Sequence, residues 1–416
     1  MATAMPAGAA ARTAPPTPAR SILATSRTMQ TRLTATPAIA RIRPLSSAAM
    51  DRPRRRMLEV AAPVAAVLGA MLLVLAVGIF IGSAGSGYDF AAYDAAARRI
   101  VAGEALYVPN TAQLYAAGAY EGLYLYPPPM AIALAPLAAV SSGAATATWL
   151  VIRLVLLVAG CLAIPAGRTT RLLIFAVACV SFPVLFDLNL GNVSIVVFAL
   201  SALAWRTMES PVAAVAHAAL IAIRFPFGLF FVEWLVERRF RRIAWTIGAG
   251  VLLIALSLPI VGVSTYLDYV TILRGLPDIS TGPHNLSLKS TALALGAPGS
   301  LAALLVPLGY VVGLVAVLFA ARRRDRDVAF VVTATATLLV APFIHPHYLV
   351  LLLLPAALLV ERGRAWALAL PLLGWLPDPV LPLIAPIAIG LVLTIPRAAA
   401  EVRVGGPIVP AASAAS

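Results

Sequence analysis

Residues 57–103 read MLEVAAPVAAVLGAMLLVLAVGIFIGSAGSGYDFAAYDAAARRIVAG. The first half of this stretch is apolar and long enough to cross a lipid bilayer, since a helical crossing takes roughly 20 residues. The second half begins with closely spaced glycines and then becomes charged. This order predicts a first membrane-spanning helix that is followed by a polar loop at the membrane surface.

The composition of the whole chain is that of a membrane protein. Of its 416 residues, 61% are hydrophobic and 12% are charged, and the mean hydropathy is +0.93. Soluble domains are close to half apolar, with about a quarter of their residues charged. The composition therefore predicts an all-α polytopic membrane protein, and the apolar runs suffice for about 12 transmembrane helices.

The apolar runs give a map of the predicted spans. They lie at residues 57–82, 128–141, 147–165, 171–187, 192–206, 212–235, 243–262, 297–320, 328–344, 347–361, 365–376 and 379–396. Arginine clusters at residues 52–56, 237–242 and 322–326 are predicted to be cytoplasmic, because cytoplasmic loops carry an excess of Lys and Arg. On this map Arg168 and Arg171 fall on the extracytoplasmic side.

Three parts of the chain follow from this map. Residues 1–56 hold ten arginines and one acidic residue without apolar periodicity, so we expect a disordered cytoplasmic tail, with Met50 as an alternative start. Residues 57–396 form the membrane domain, which includes an extracytoplasmic loop at 83–127. Residues 397–416 are predicted to be a cytoplasmic tail. Much of the net charge of +14 lies in the first part and does not indicate a nucleic-acid partner.

The first loop carries the densest set of charges in the membrane domain. A short helix of about 13 residues is predicted to begin at Asp89 and to end at Gly103, since glycine is favoured at helix C-termini. Asp89 is interpreted either as the N-cap of this helix or as a general base at the mouth of a lipid-facing cavity. Arg98 and Arg99 either extend towards the membrane surface or contact a lipid phosphate.

Arg224 lies within the apolar run AHAALIAIRFPF. A charge inside a membrane segment costs several kcal/mol unless it is paired or faces water. We therefore interpret Arg224 as a phosphate-binding residue at a helix broken by Pro226, and the alternative is an arginine at a misplaced helix end.

Two further polar segments interrupt the later apolar runs. His345 and His347 flank one proline in PFIHPHYLV, and no third metal ligand is near in sequence, so a hydrogen bond to phosphate is favoured over a metal. Asn285 and Lys289 belong to the extracytoplasmic stretch GPHNLSLKS, which also contains His284. The segment FDLNLGNVS is interpreted as a turn.

These segments, in this order, resemble the bacterial polyprenyl-phosphate-mannose-dependent mannosyltransferases, a family of GT-C type. The resemblance covers roughly residues 57–396 and rests on six stretches of the sequence: YDFAAYDAAARRIVAGEALY, LYLYPPPMAIALAPLA, LNLGNVS, AIRFPF, HNLSL and PFIHPHYLV. Members of that family transfer sugars from a lipid carrier, and some extend phosphatidylinositol mannosides. The chain departs from the family pattern at Asn192, where Gln is usual, at Arg224, where Lys is usual, and at His345, where Trp is usual.

The resemblance implies a metal-independent, inverting transfer of mannose or a related sugar, arabinose included, from a polyprenyl phosphate to a glycolipid, lipoglycan or protein acceptor. It implies that Asp89 is the general base, that Arg224 binds the donor phosphate and that His347 lies beside the same phosphate. No cofactor is implied. The further predicted substrate contacts are Tyr93, Tyr126, Asn285, Lys289 and His345. The predicted location is the plasma membrane of a bacterium, with membrane lipids as partners.

A transporter or lipid flippase is the main alternative, because many spans and an intramembrane arginine suit it. Its polar residues would lie near mid-membrane in matched halves, whereas here they collect in loops on one side. A non-catalytic membrane assembly protein is a third interpretation. A retaining hydrolase would need two carboxylates about 5 Å apart, whereas Asp89 and Asp94 are five residues apart and diverge around a helix.

Overall fold

A computed structural model describes residues 52–81, 83, 85–278, 285–323 and 325–396, and all regular structure in these residues is helical. The predicted terminal tails, apart from residues 52–56, and His284 lie outside the described residues. The α-helices in chain order are α1 (Arg52–Phe80), α2 (Tyr88–Ala102), α3 (Thr111–Ala116), α4 (Pro128–Leu134), α5 (Ser142–Ala163), α6 (Arg168–Val180), α7 (Phe182–Leu190), α8 (Ser194–Arg206), α9 (Pro211–Ile223), α10 (Leu229–Val236), α11 (Phe240–Gly275), α12 (Leu288–Ala294), α13 (Gly299–Ala321), α14 (Arg326–Val340), α15 (Leu353–Glu361) and α16 (Ile384–Leu393). Shorter 3-10 helices cover Ala135–Ala139, Phe225–Gly228, Pro346–Leu352, Ala365–Trp375 and Leu381–Leu383.

The predicted all-α polytopic membrane fold is confirmed. Within the described residues, α1, α5, α11 and α13 are each long and apolar enough to cross a membrane alone. The pair α6 and α7, bent by 59° at Ser181, would be a fifth span, and seven shorter apolar helices accompany them. By length and composition the described residues therefore contain at most five spans, fewer than the predicted 12, because the other apolar helices are shorter than the roughly 20 residues that a straight crossing needs.

The predicted crossing at residues 128–141 is wrong. This segment folds into α4 and the 3-10 helix Ala135–Ala139, which pack against α2. Arg98 of α2 donates to the backbone oxygens of Ala138 and Val140 over 3.2 and 2.8 Å. The segment therefore starts and ends beside the first loop. Its 12 residues span only about 18 Å as a helix, against roughly 30 Å of bilayer hydrocarbon.

The single span predicted at residues 212–235 is two helices. The helix α9 ends before Arg224, and a 3-10 helix with Pro226 leads into α10, because proline lacks the amide that would continue the helix. The nitrogen Nη1 of Arg239, just after α10, lies 2.5 Å from a carboxylate oxygen of Glu209, just before α9. The two helices therefore form a hairpin, and this extra segment offsets the missing crossing at 128–141.

The predicted side of Arg168 and Arg171 is wrong as well. The side chains of Arg171 and Arg206 both donate to the backbone oxygen of Leu162. The Glu361 carboxylate accepts hydrogen bonds from the amide of Gly167 and from the hydroxyl of Thr170. The connection between α5 and α6 therefore lies at the end of the bundle opposite the first loop, which follows from the failed crossing at 128–141.

The bundle has two chemically different ends. We call the end that carries α2, Asn192 and Arg224 the loop end. The opposite end is the charged end, and it carries the connections at residues 164–167, 207–210, 237–239 and 362–364, together with residues 322, 323 and 325. Between the two ends, α14 and α15 contribute mostly buried apolar residues to the core.

The long helix α11 is bent, and its last part reaches the first loop. Gly262 has φ 75° and ψ 167°, a conformation that is essentially restricted to glycine, and Pro259 lies one turn earlier. Beyond this bend the ring of Tyr269 stacks on Tyr107 of the first loop, with 5.9 Å between centroids. The bend therefore lets α11 pack on the loop that carries α2.

Candidate active site

The helix α2 brings the carboxylate of Asp89 to the loop end of the bundle. Its N-cap is Gly87, which has φ 75° and makes no side-chain capping bond. Gly103 caps its other end, and its amide bonds to the backbone oxygens of Arg99 and Ile100. The helix occurs as predicted, but Asp89 is its second residue and not its N-cap. The side chain of Asp89 is half-buried and free of capping.

Asn192 is the hydrogen-bond partner of Asp89. Its Nδ2 donates to Oδ2 of Asp89 over 2.7 Å. Its Oδ1 accepts from the amide of Val193 at 2.7 Å and from the hydroxyl of Ser194 at 3.3 Å. Because the oxygen of this amide is held by two donors, its NH₂ group is directed at the Asp89 carboxylate.

A close approach between α2 and Gly191 makes this contact possible. Gly191 has φ +80°, and a Cβ atom there would lie 2.6 Å from Cβ of Phe90, so any larger residue would push α2 away. Its backbone oxygen accepts a hydrogen bond of 2.8 Å from Nε1 of Trp149. The rings of Phe90 and Trp149 stack with centroids 5.7 Å apart. The turn that carries Asn192 is therefore packed tightly against α2.

The environment of Asp89 makes it a stronger base than an exposed aspartate. Burial raises the pKa of this carboxyl, while the hydrogen bond from Asn192 and the charge of Arg153 lower it, and the net shift is upward. A raised pKa brings a carboxylate closer to the range in which a general base works well near neutral pH. Perturbed carboxyl groups of this kind are concentrated at functional sites.

Tyrosines connect Asp89 to the rest of the site. The hydroxyl of Tyr93, one turn after Asp89, donates to the hydroxyl of Tyr126 over 3.3 Å, and Tyr126 in turn lies against Tyr348. Burial raises the pKa of both Tyr93 and Tyr126 well above the usual value. These phenols therefore stay protonated and can donate hydrogen bonds to a polar ligand.

The guanidinium group of Arg224 lies beside Tyr126 and Tyr348. It follows α9, is 8% exposed, and places its guanidinium carbon 3.7 Å from the centroid of the Tyr348 ring. Within the part of the chain that the structure describes, this guanidinium has neither a carboxylate partner nor a hydrogen-bond acceptor. Burial of an unpaired charge is costly, so the arrangement indicates a site that an anionic ligand completes.

His347 lies next to this cation. Its ring is 2% exposed, and both ring nitrogens lack a hydrogen-bond partner among the described residues. The ring centroids of Tyr348 and His345 are 4.4 and 5.5 Å from that of His347. Buried polar atoms are nearly always hydrogen-bonded. The ring of His347 and the guanidinium of Arg224, which both contact Tyr348, form a cluster of possible hydrogen-bond donors that we call the cationic pocket.

The other predicted contacts have structural partners. Oδ1 of Asn285 accepts from the amides of Ser287 and Ile344 at 2.9 and 3.1 Å, and its Nδ2 donates to the backbone oxygen of Pro342 at 3.2 Å. These bonds anchor the segment that leads to His345. Lys289, in α12, forms an ion pair with Asp278. Direct contact of Asn285 or Lys289 with a substrate stays a prediction.

The arginines of α2 contact protein groups. Arg98 pairs with Asp94 at 3.0 Å, and Asp94 also accepts a hydrogen bond of 2.8 Å from the hydroxyl of Ser142. Arg99 donates to the backbone oxygen of Leu106 over 2.9 Å. These contacts hold the first loop together, and a position at the membrane surface or a contact with a lipid phosphate stays a prediction for both arginines.

Arg153 and Asp187 are among the residues of the site that were not identified from the sequence, as is Tyr348 beneath Arg224. Arg153 donates to the backbone oxygens of Asp187 and Leu188 at 2.6 and 3.2 Å, and the Asp187 side chain is fully buried beneath the Asn192 turn. The available signal was Arg153 itself, a charge within the apolar run VIRLVLL, which carries the same cost as Arg224.

No cluster of three or more His, Cys, Asp or Glu residues that could hold a metal ion occurs in the described ranges. The two cysteines, Cys161 and Cys179, are buried and free.

The helical fold defines a membrane protein, and its candidate site combines a half-buried carboxylate with the cationic pocket. The sequence model of Glycosyltransferase family 87 matches residues 124–346, which is more than half of the chain. The chain therefore belongs to glycosyltransferase family 87, and it is a membrane glycosyltransferase. The match includes Tyr126, Arg224 and His345, begins after Asp89 and ends one residue before His347. We found no match among curated proteins and none among solved structures.

Proposed function

We propose that this glycosyltransferase transfers mannose, or a related sugar, from a polyprenyl phosphate to a glycolipid or lipoglycan. The proposed reaction inverts the anomeric centre and takes place on the extracytoplasmic side of a bacterial plasma membrane. One observation carries the proposal. The base candidate Asp89 and the cationic pocket at Arg224 and His347 are joined through the same tyrosines, Tyr126 and Tyr348.

The cationic pocket supports a phosphate-linked donor. A phosphodiester carries one negative charge before the reaction, and the released lipid phosphate carries more. Arg224 supplies several donors in a fixed planar geometry that suits phosphate oxygens, and either ring nitrogen of His347 can donate to a third oxygen. Because the pocket is largely buried, these interactions are stronger than they would be in water.

The proposed reaction uses one base and a charged leaving group. The acceptor hydroxyl gives its proton to the carboxylate of Asp89, and its oxygen forms a bond with the anomeric carbon. The bond between that carbon and the phosphate oxygen breaks, and the electron pair leaves with the lipid phosphate. Arg224 and His347 stabilise the charge that develops there, as preorganised donors do in other enzymes. The proton then passes from Asp89 to water.

The carboxylate arrangement supports inversion. A phosphate leaving group needs no general acid, so one carboxylate is sufficient. The second carboxylate of α2, Asp94, is engaged by Arg98 and by the hydroxyl of Ser142 and is not available as a nucleophile. Attack from the face opposite the leaving phosphate then inverts the anomeric carbon, as in a single displacement.

The nature of the sugar and of the acceptor comes from the resemblance of the loop and turn motifs to polyprenyl-phosphate-mannose-dependent enzymes. Mannose is the sugar that this resemblance implies. A lipid-linked acceptor fits a site that lies at the end of a membrane bundle, since both substrates can then diffuse within one leaflet.

The test is transfer by the purified protein in lipid vesicles. Radiolabelled polyprenyl-phosphate-mannose is supplied with membrane glycolipids as acceptors, and EDTA is present throughout. We expect labelled glycolipid from the wild-type protein. Asp89→Asn is expected to lower turnover by about 10²- to 10⁴-fold, the usual contribution of a general base, without loss of donor binding.

Asp94→Asn is the matched control, because it removes a carboxylate from the same helix. It should retain most of the wild-type turnover. Equal turnover of Asp89→Asn and wild type would exclude Asp89 as the base. Absence of product with every polyprenyl-linked sugar, together with movement of lipid across the vesicle membrane, would support the flippase alternative.

A further inference from the structure

Arg153 is one of the most deeply buried charges in the described structure. It lies in the middle of α5, and it is 2% exposed. Besides its hydrogen bonds to the backbone oxygens of Asp187 and Leu188, its Nη1 lies 3.6 Å from a carboxylate oxygen of Asp187. A charge in an apolar helix is expensive, so its three contacts with one short segment call for an explanation.

Asp187 organises the turn that follows. Its backbone oxygen accepts from the amides of Gly191 and Asn192 at 2.9 and 3.3 Å. Its Oδ1 accepts from the amide of Ser194 at 2.8 Å. Asp187 therefore holds the turn at both ends, while Arg153 holds Asp187.

This turn is also the element that orients the base. Asn192, at its centre, donates to Asp89 over 2.7 Å, and the backbone oxygen of Asn189 accepts from the amide of Gly87 at 2.7 Å. A displacement of the turn would move the amide away from the carboxylate and would loosen the start of α2. Arg153 and Asp187 are thus connected to the carboxylate of Asp89 through Asn192.

The two charges also act on Asp89 through space. Arg153 is an attractive charge for Asp89, and Asp187 is a repulsive one. Because Arg153 and Asp187 carry opposite charges, their effects on Asp89 oppose each other while both are present. The groups that face Asp89 from the surrounding elements are Arg153, Asp187, Asn192, Tyr88, Tyr93, Tyr126 and Tyr348.

We propose that Arg153 and Asp187 form a buried positioning pair that sets both the orientation and the ionisation of the catalytic carboxylate. The role of Asp89 as base rests on the proposed function, but the coupling between the pair and Asp89 does not. A purely structural pair would be expected to tolerate replacement by apolar residues of similar shape. A positioning pair has a further property, because removal of its two members must shift Asp89 in opposite directions.

The first experiment measures the ionisation of Asp89 without reference to transfer. A hydrophobic carbodiimide reacts with protonated buried carboxyl groups, and peptide mass spectrometry gives the labelled fraction of Asp89 against pH. In Arg153→Met the attractive charge is lost, so we expect labelling to persist to higher pH than in wild type. In Asp187→Asn the repulsive charge is lost and Arg153 keeps its two backbone acceptors, so labelling should disappear at lower pH.

The double variant Arg153→Met/Asp187→Asn is the internal control. Because both charges are removed, its labelling curve should return towards that of the wild type. Thermal unfolding in detergent shows which variants are folded, and Arg153→Gln, which removes the charge but keeps a hydrogen-bond donor for the backbone oxygens, serves if Arg153→Met is unfolded. Shifts of the same sign in both single variants, or no shift in either, would overturn the proposal.

The second experiment measures transfer by the same proteins. Arg153→Met should lower kcat by roughly 100-fold, the loss typical of a displaced reacting group, with little change in KM for the donor. Arg153→Lys should recover part of the lost kcat. Loss of transfer in every protein, wild type included, would contradict the proposed function, whereas opposite labelling shifts would still establish the coupling.

Discussion

The two ends of the bundle treat arginine in different ways. At the charged end, several described arginines have acidic partners: Glu209 contacts Arg239, Arg242 and Arg326, and Arg362 contacts Asp325 and Asp327. At the loop end, Arg224 faces an aromatic ring, and no carboxylate of the described residues pairs with it. Arg224 differs from these arginines, and also from Arg98 at its own end, which pairs with Asp94, because no acidic side chain of the described residues is its partner.

The two kinds of arginine also differ in how strongly water screens their charges. The side chain of Arg326 is 56% exposed, so water and salt can screen its charge, and its ion pair contributes little. Arg224 is 8% exposed, so its charge is poorly screened by water. The paired arginines of the charged end are neutralised within the protein, whereas the proposed function assigns the neutralisation of Arg224 to a phosphate ligand.

The largest effect in this comparison is expected from Arg224→Met. Loss of the buried cation should weaken binding of polyprenyl phosphate by about 2–5 kcal/mol, the usual cost of removing one partner of a buried charge pair. Arg224→Lys should recover part of the affinity, because lysine restores the charge without the planar donor geometry. Titration of the protein in nanodiscs with a fluorescent polyprenyl phosphate measures both values.

The matched control is Arg326→Met, which removes an arginine from the charged end. Its affinity for polyprenyl phosphate should equal that of the wild type. If Arg224→Met and Arg326→Met weakened binding equally, the cationic pocket would have no special role, and the contrast between the two ends would be one of exposure alone.

Hydropathy alone predicted the helical class and the positions of the apolar segments. Hydropathy could not predict whether an apolar segment crosses the membrane or folds back to the side from which it started. The run at residues 128–141 looks like its neighbours in composition, but it is short and lies back on α2, and this cannot be known without the hydrogen bonds of Arg98. Each predicted crossing reverses the membrane side that is assigned to the next loop. One segment wrongly counted as a crossing therefore also put Arg168 and Arg171 on the wrong side.

The candidate site could be predicted as a set of residue types but not as a geometry. Asp89, Arg224 and His347 are distant in the sequence, and their association depends on the turn at Gly191 and on the broken helix at Pro226. Arg153 could have been found by the same cost argument that identified Arg224. The role of Arg153 could not have been predicted in this way, because it depends on contacts with the backbone oxygens of Asp187 and Leu188.

A smaller effect is expected from Asn192→Leu at the loop end. Burial already raises the pKa of Asp89, and the hydrogen bond from Asn192 lowers it, so its loss should raise this pKa further. A base is active when deprotonated, so activity falls as pH drops through this pKa. The acid limb of kcat/KM should therefore move to higher pH, and the loss of a hydrogen bond to a charged group costs about 1.5–3 kcal/mol.

Asn189→Leu is the control for this change, since Asn189 lies in the same turn and its side chain makes no contact with Asp89 among the described hydrogen bonds. Its pH profile should coincide with that of the wild type. An acid limb that stays in place in Asn192→Leu would separate Asn192 from the ionisation of Asp89.

The smallest effect is expected at the charged end, from Glu209→Gln. Burial raises the pKa of Glu209, but the hydrogen bond from Arg239 and the charges of Arg242 and Arg326 outweigh it, so the net shift is downward. A lowered pKa stabilises the folded state above the unfolded pKa, and this contribution is lost as pH falls through the folded value. The side chain is 53% exposed, so the change in unfolding free energy at pH 7 should be below about 1 kcal/mol.

Thermal unfolding at pH 7 and at pH 4 measures this change in stability, and the difference in stability between Glu209→Gln and wild type should narrow at pH 4. Transfer activity should not change, because the cationic pocket at the other end is untouched; a large loss of transfer in Glu209→Gln would mean that the two ends are coupled.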